Sequence, residues 1–393
     1  MRVTYVTRSF LDYRIPVFQA LDALVEGNLH VIYSADYVPQ RVHEKAQKVL
    51  GDRAIGMRGE KRIGPNQFTG FANSGIRIVY QPGLLAEIKK TRPDILIGDG
   101  FFQWTTFALL YKLSKSIPLV LCYERTFHTE RNAQWFRTAY RRIVLRFVDA
   151  MSCNGRLSSE YTQWLGMPVA RITTGHMVAD TVTLARKAKS VSLKEQEDLR
   201  KAWGSPELVF LTVGRLIRLK GFSELLEAWR HVAGDLPGAC ALVIIGSGPE
   251  EIALSRQATE LNLKSVHFPG AIDYDEIAPY YAAADVFVMP TLEDNWSLVV
   301  PEAMACGLPV LCSKYNGCHP ELIRSGENGW VFDPLNEQDM FETLRKCIEN
   351  KDRLKRMGEK SKEIVAKHTP QTAAQAIYDA CLIAMKRQNG KLE

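Results

Sequence analysis

Three stretches of the sequence hold side chains that could act together on an anion and a polyol. In LVFLTVGRLIRLKGFSELLEAW (208–229), an apolar run ends at Gly214-Arg215, and Lys220-Gly221 follows before an amphipathic stretch. Arginine offers a planar fork of donors and lysine a point charge, so a diphosphate would suit the pair. Alone, Arg215 and Lys220 also fit two solvated loop cations. In DVFVMPTLEDNWSLVVPEAMACGLPVLCS (285–313), Asp294 lies in a loop after an apolar run, and Glu302 lies eight residues on, inside a helix predicted to begin near Ser297. The start of that helix presents unpaired N–H groups to an anion. Two carboxylates beside such a site cannot both be phosphate ligands, but they suit sugar hydroxyls, which donate to them. The plainer alternative is that Asp294 caps the helix and Glu302 is a solvated acid. In ALVIIGSGPEE (241–251), Gly246 and Gly248 let backbone approach a ligand closely, although a simple tight turn explains them as well.

These residues need elements to hold them. From about residue 205, apolar runs of five to seven residues alternate with amphipathic stretches: LVFLTV, ALVIIG, VHFPG, DVFVMP, PVLCS and WVF, with helices between. Continuous apolar strands separated by helices imply a parallel sheet covered on both faces. The first half repeats the rhythm with RVTYVT, LHVIYS, DILIGD, PLVLCYE, AMSCN and ARITT. The fold class expected is α/β with two doubly wound, Rossmann-like parallel-sheet domains. The expected domains are 1–180 and 181–370. A last helix within 371–393 is expected to pack back across the join. Residues 39–72, rich in glycine and basic residues, read as a long irregular loop.

The chain has 393 residues, of which 46% are hydrophobic and 24% charged, which excludes disordered and collagen-like classes. The longest mainly apolar stretch, ILIGDGFFQWTTFALLY, is interrupted by Asp99 and reads as strand, loop and helix, not a membrane span. The first residues alternate like a strand and lack a signal-peptide pattern. The eight cysteines form no CxxC pair and read as reduced thiols, which points to the cytoplasm. Residues 1–180 hold 24 Lys/Arg against 15 Asp/Glu, whereas the remainder holds 26 against 29. By charge alone the basic first half suits an anionic membrane lipid, an anionic acceptor or nucleic acid, or is a solvated basic face with no partner.

The GR…KG pair, the GSGPE turn, the spaced acids with EAMACGLPV, the GCHPELI turn and the NGWVFDP strand occur in a characteristic order. Over about 205–335 they resemble the C-terminal domain of retaining glycosyltransferases of family 4, the glycosyl transferases group 1, which have the GT-B architecture of two facing Rossmann-like domains. The resemblance implies a retaining glycosyltransferase of hexosyltransferase type. It would move sugar from a UDP- or GDP-sugar to an acceptor hydroxyl in polysaccharide, lipopolysaccharide or glycoconjugate synthesis. It implies that Arg215 and Lys220 bind the donor diphosphate, that Glu302 binds ribose, and that Asp294 contacts the transferred sugar. The N–H groups of Leu298 and Val299 would face phosphate and sugar, and Gly246 and Gly248 would line the nucleotide pocket. Asp294 stands where the family has Glu, and Asn295, Trp296 and Ser297 form an altered donor loop with Trp296-Ser297 in place of the usual Phe-Gly. Cys318 replaces a glycine of the GGxPE turn.

Such families often place a catalytic histidine after a buried strand of the first domain, where His128 stands in PLVLCYERTFHTERN. Glu124, Arg125 and Glu130 share its loop. Arg8, Asp12 and Arg14, in TRSFLDYRIP, are candidate acceptor or phosphate contacts. No cofactor is expected besides the nucleotide-diphosphate sugar as co-substrate, and no metal: Asp273 of the DYD triplet reads as a helix cap. The partners expected are a nucleotide-sugar donor and a saccharide, lipid-linked or small-molecule acceptor, with no nucleic acid. In WFRTAYRRIVLRFV, Phe136, Tyr140, Ile143 and Phe147 share a helical face, with four arginines away from it. Such a helix could touch anionic membrane on the inner face, or could turn its apolar face into the core. The rival readings are a nucleotide-sugar epimerase or phosphorylase on the same scaffold, and a non-catalytic nucleotide-sugar-binding subunit.

Overall fold

A computed structural model describes residues 1–63, 78–236, 238–388 and 390. The chain forms two compact units, Met1–Val178 with His368–Glu393, and Ala179–Lys367.

In the first unit the elements run β1 (Val3–Val6), α1 (Arg14–Leu24), β2 (Leu29–Ser34), α2 (Gln40–Leu50), β3 (Ala54–Met57), β4 (Lys61–Ile63), β5 (Ile78–Tyr80), α3 (Leu84–Thr91), β6 (Ile95–Asp99), α4 (Thr105–Lys115), β7 (Leu119–Tyr123), α5 (Trp135–Leu145), β8 (Ala150–Cys153), α6 (Arg156–Leu165) and β9 (Ile172–Thr174). Seven strands make one parallel sheet in the order β3-β2-β1-β6-β7-β8-β9, and β4 pairs with β5 as a separate antiparallel ribbon. The inner strands β2, β1, β6, β7 and β8 are buried on both faces, which is why their sequences are mainly apolar runs. One face packs Val3, Tyr5, Phe18 and Leu21 beneath α1 and α2. The other packs Leu96, Trp104, Leu121 and Val144 beneath α3 to α6.

The segment 39–72 is not a long loop. It contains α2 and β3, and its residues 64–72 lie outside the described part. Only Val42, Ala46 and Leu50, at helical spacing, are buried on α2, and its remaining polar surface hides the pattern from a reading of composition.

The second unit comprises α7 (Thr181–Ser190), α8 (Leu193–Ala202), β10 (Leu208–Val213), α9 (Phe222–Asp235), β11 (Cys240–Ile245), α10 (Glu251–Glu260), β12 (Val266–Gly270), α11 (Ala278–Ala283), β13 (Val286–Met289), α12 (Val299–Ala305), β14 (Val310–Ser313), α13 (His319–Leu322), β15 (Gly329–Phe332), α14 (Glu337–Glu349) and α15 (Leu354–Val365). Its parallel sheet has the order β12-β11-β10-β13-β14-β15. Strand order therefore reverses between β10 and β13. A crevice at the carboxyl ends of such strands is where open α/β sheets take ligands.

The last helix, α16 (Pro370–Gln388), belongs to the first unit. Ala373, Ile377, Ala380, Cys381 and Ala384 are buried in the same core layer as α1. Their small size lets the two helices approach closely, and Thr173 donates a hydrogen bond to the Ala376 carbonyl at 2.7 Å.

Candidate functional site

The strand reversal of the second unit brings two loops together. After β10, Gly214 to Gly221 crosses toward Pro290 to Leu292, the start of the loop that follows β13. Leu292 N–H donates to the Leu219 carbonyl at 2.8 Å, and the Thr291 hydroxyl donates to the same oxygen at 2.9 Å. Gly221 has φ +70°, and a Cβ there would lie 2.0 Å from the Pro290 carbonyl oxygen. Glycine is thus required where the first loop passes under the second.

That clamp sets Lys220 against Asp294. The ammonium donates to Asp294 Oδ2 at 2.5 Å. The Ser297 hydroxyl donates to the same oxygen at 2.5 Å, and Trp296 N–H donates to Oδ1 at 3.0 Å. Burial by itself would raise the Asp294 carboxyl. The Lys220 cation and the donors from Ser297 and Trp296 outweigh it and hold the group below the ordinary carboxylate range. Asp294 is therefore not the helix cap: Leu298 takes the N-cap position, and α12 begins at Val299 rather than near Ser297.

A third loop supports this arrangement. Asn316 is fully buried, and its Oδ1 accepts N–H groups of Ser297 at 3.2 Å and Cys318 at 3.4 Å. Asn316 orients the entry to α12, and sequence reasoning missed it. Its signal was the Asn-Gly dipeptide whose glycine opens the GCHPELI turn. Close to Asp294, Asn295 Oδ1, Trp296 Nε1 and Asn316 Nδ2 are buried without a hydrogen-bond partner. Such atoms are rare in folded proteins and indicate groups that a ligand or water satisfies.

Glu302 stands inside α12, bonded away from Asp294. The Tyr281 hydroxyl, on α11, donates to Glu302 Oε2 at 3.2 Å. Burial pushes the Glu302 carboxyl up to about 7; the Tyr281 bond opposes this and the Asp180 charge adds to it. Tyr281 too was missed, and nothing in YDEIAPYYAAA marks it. The N–H groups of Leu298 and Val299 lie at the first turn of α12, where a helix has no internal acceptor for them.

Arg215 is exposed on the loop after β10. Gly246 and Gly248 face that loop: a Cβ on Gly246 would lie 1.9 Å from the Gly214 carbonyl oxygen, and one on Gly248 2.3 Å from that of Leu216. Glycine is demanded at both positions by neighbouring backbone, which makes them the weld between β10 and β11 loops. Asp273 caps no helix, because α11 starts at Ala278; its neighbour Asp275 is ion-paired with Lys187 at 2.7 Å.

In the first unit, His128 sits half-buried in the turn after β7, where the Thr126 carbonyl accepts from Glu130 N–H at 3.0 Å. Glu130 is buried against Arg141 of α5 at 2.7 Å, which makes it structural. Arg8 is paired with Glu60 at 2.9 Å, and Trp104 Nε1 donates to the same carboxylate at 2.9 Å. Asp12 pairs with Arg41 and Lys45, each at 2.8 Å, and Arg14 is buried and donates to the His176 carbonyl at 3.3 Å. All three acceptor or phosphate candidates are thus engaged by protein partners.

Residues 194–364 match the family model of the glycosyl transferases group 1. A sulfoquinovosyl transferase of Arabidopsis thaliana is 26% identical over 314 residues, covering 75% of this chain and 57% of that protein. The lipopolysaccharide core biosynthesis glycosyltransferase LpsE of Rhizobium meliloti is 31% identical over 176 residues, covering 44% of this chain and 48% of that one. The chain thus spans about half the length of the curated relatives it matches. Among solved structures, Anabaena Alr3699/HepE in complex with UDP superposes with a TM-score of 0.75 at 18% identity, over 97% of this chain and all of that one. Both units have the Rossmann-like sheets of the GT-B fold.

Proposed function

From a chain whose second unit belongs to the glycosyl transferases group 1 family, we infer a glycosyltransferase that moves a sugar from a nucleotide-diphosphate sugar to an acceptor hydroxyl with retention at the anomeric carbon. The observation that carries this reading is the cluster at the strand reversal of the second unit. A cation, a carboxylate held ionised and three unsatisfied buried polar atoms lie together at the start of α12. Cation and helix N–H groups suit a diphosphate; carboxylate, indole N–H and amides suit sugar hydroxyls.

In this reading, the bond between the anomeric carbon and the diphosphate oxygen breaks while the acceptor oxygen bonds to the same face of that carbon. The acceptor proton passes to the departing diphosphate. Arg215, Lys220 and the first turn of α12 stabilise the negative charge that develops there, so no metal ion is needed. Glu302 accepts hydrogen bonds from the ribose, and Asp294 accepts one from the transferred sugar. His128 keeps the catalytic role that the resemblance implies for it. The acceptor is a hydroxyl of a saccharide, a lipid-linked saccharide or a small molecule. The relative named for lipopolysaccharide core biosynthesis supports the first two.

Alr3699/HepE was solved with UDP, which makes UDP-sugars the first donors to test. A thermal-shift screen of UDP- and GDP-sugars in EDTA should give stabilisation by at least one of them. Ligand at a hundred times its dissociation constant adds about 2.7 kcal/mol. Slow donor hydrolysis without acceptor is the second expected result. Binding without any hydrolysis would instead favour a non-catalytic binding subunit, and activity restored only by Mn²⁺ would overturn the metal-free assignment.

A further inference from the structure

Helix α5 leaves several large apolar residues facing away from the core. Its inward face is Arg141, Val144 and Leu145, all buried. Arg141 faces inward because the buried Glu130 carboxylate receives it at 2.7 Å, and its guanidinium also covers the Phe102 ring. That pair fixes the rotation of the helix. The outward face is consequently left with Trp135 at 81% exposure, Ile143 at 55%, Phe136 at 41% and Phe147, just beyond the helix end, at 40%. Arg142 and Arg146 are exposed on the same face, and residues 131–148 contain five arginines and no acid. Arg142 also lies over the exposed Trp164 ring of α6 at 4.8 Å.

Large apolar side chains exposed singly need no explanation, but four on one turn-spaced face, interleaved with the exposed cations Arg142 and Arg146, do. We propose that this face of α5 docks the protein on an anionic lipid surface. Trp135, Phe136, Ile143 and Phe147 enter the boundary between headgroups and acyl chains, and Arg142 and Arg146 meet the lipid phosphates. The charge complementarity selects lipid over a second copy of this chain, since two such faces would oppose arginine to arginine. Among the described residues no helix is long and apolar enough to cross a membrane, so the contact is peripheral. The inference is independent of the donor site, because α5 belongs to the first unit and the cluster at α12 to the second.

The test is flotation of the full chain with vesicles of phosphatidylcholine alone or with about a third phosphatidylglycerol. The protein should float with the anionic vesicles only, and less so at high salt. Each arginine near such a surface contributes about fivefold. R142E/R146E should therefore weaken binding more than about tenfold, and W135S/I143S should do likewise through lost burial. Both pairs are solvent-exposed, so melting temperature and donor binding without lipid should stay unchanged. Equal binding to neutral vesicles, no binding of the unsubstituted chain, or binding indifferent to both pairs overturns the proposal. So does a dimer in sedimentation velocity that both pairs dissolve while flotation persists, which would make the face a self-interface.

Discussion

At the residue scale, the pairing of Lys220 with Asp294 reverses one simple expectation. The lysine proposed to bind the diphosphate is held by a carboxylate at 2.5 Å, so in that proposal the carboxylate competes with phosphate for the cation. Asp294→Asn should therefore strengthen binding of the bare nucleotide diphosphate, by severalfold, while transfer falls about ten- to a hundredfold through the lost sugar contact. Calorimetry with UDP or GDP and initial rates with the sugar donor measure the two effects. Weakened nucleotide binding would show that Asp294 does not restrain Lys220. Glu302 gives a pH signature. Burial pushes its carboxyl up to about 7, and in the proposed role ribose hydroxyls would donate to the charged form. Binding then releases a proton, so affinity is full above pH 7 and is lost as pH falls through it. At pH 6 the dissociation constant should be about tenfold weaker than at pH 8. Glu302→Gln should flatten this profile and weaken nucleotide and donor alike.

At the scale of elements, the donor site depends on two backbone welds rather than on the loops' composition. Gly246 has φ +146° with the Gly214 carbonyl beneath it. Gly246→Ala forces β10 and β11 loops apart, costing about 2–3 kcal/mol, or roughly 5–10 °C in melting temperature for a unit of this size. Nucleotide affinity should fall with it, because Arg215 and Lys220 ride on the displaced loop. Ser247→Ala, at the exposed position between the glycines, should change neither. In the first unit, Glu130→Gln leaves the Arg141 charge buried without its counter-ion and should cost about 3–5 kcal/mol. Thermal unfolding followed by far-UV circular dichroism measures both variants.

At the scale of the whole molecule, the two units have separate cores, and the chain returns at its end to the first. Ending the chain after residue 367 removes α16 and exposes the core layer around Phe18 and Leu21 that it shares with α1. Fully exposing one Ile or Leu side chain costs about 1.5–3 kcal/mol. The first unit should therefore melt several degrees lower or lose cooperative unfolding, whereas the second should still bind nucleotide. Loss of nucleotide binding with no change in the first transition would contradict this division.

Much of the fold was legible because a parallel strand buried on both faces must be an apolar run, and LVFLTV, DVFVMP and PLVLCYE are such runs. Gly214-Arg215, Lys220-Gly221 and Asp294 were legible as loop residues for the same reason: each lies in a loop that follows an apolar strand, whereas Glu302 lies inside α12. What sequence could not supply is which groups meet. Lys220 and Asp294 are 74 residues apart, and only the reversal between β10 and β13 makes them partners. Asn316 and Tyr281 gain their roles solely from the side chains they reach. The glycines at 246 and 248 read as ligand-facing residues, and the structure adds a need for them that sequence did not show: the Gly214 and Leu216 carbonyls of the neighbouring loop after β10. The rotation of α5 was equally hidden. Its pattern alone places Phe136, Tyr140, Ile143 and Phe147 together, but the buried ion pair of Arg141 with Glu130 turns Arg141, Val144 and Leu145 inward, so that only Tyr140 of the four packs against the core. Local periodicity is set by the chain's own repeat, whereas helix rotation and loop pairing are set by whichever long-range contacts satisfy buried charge and backbone.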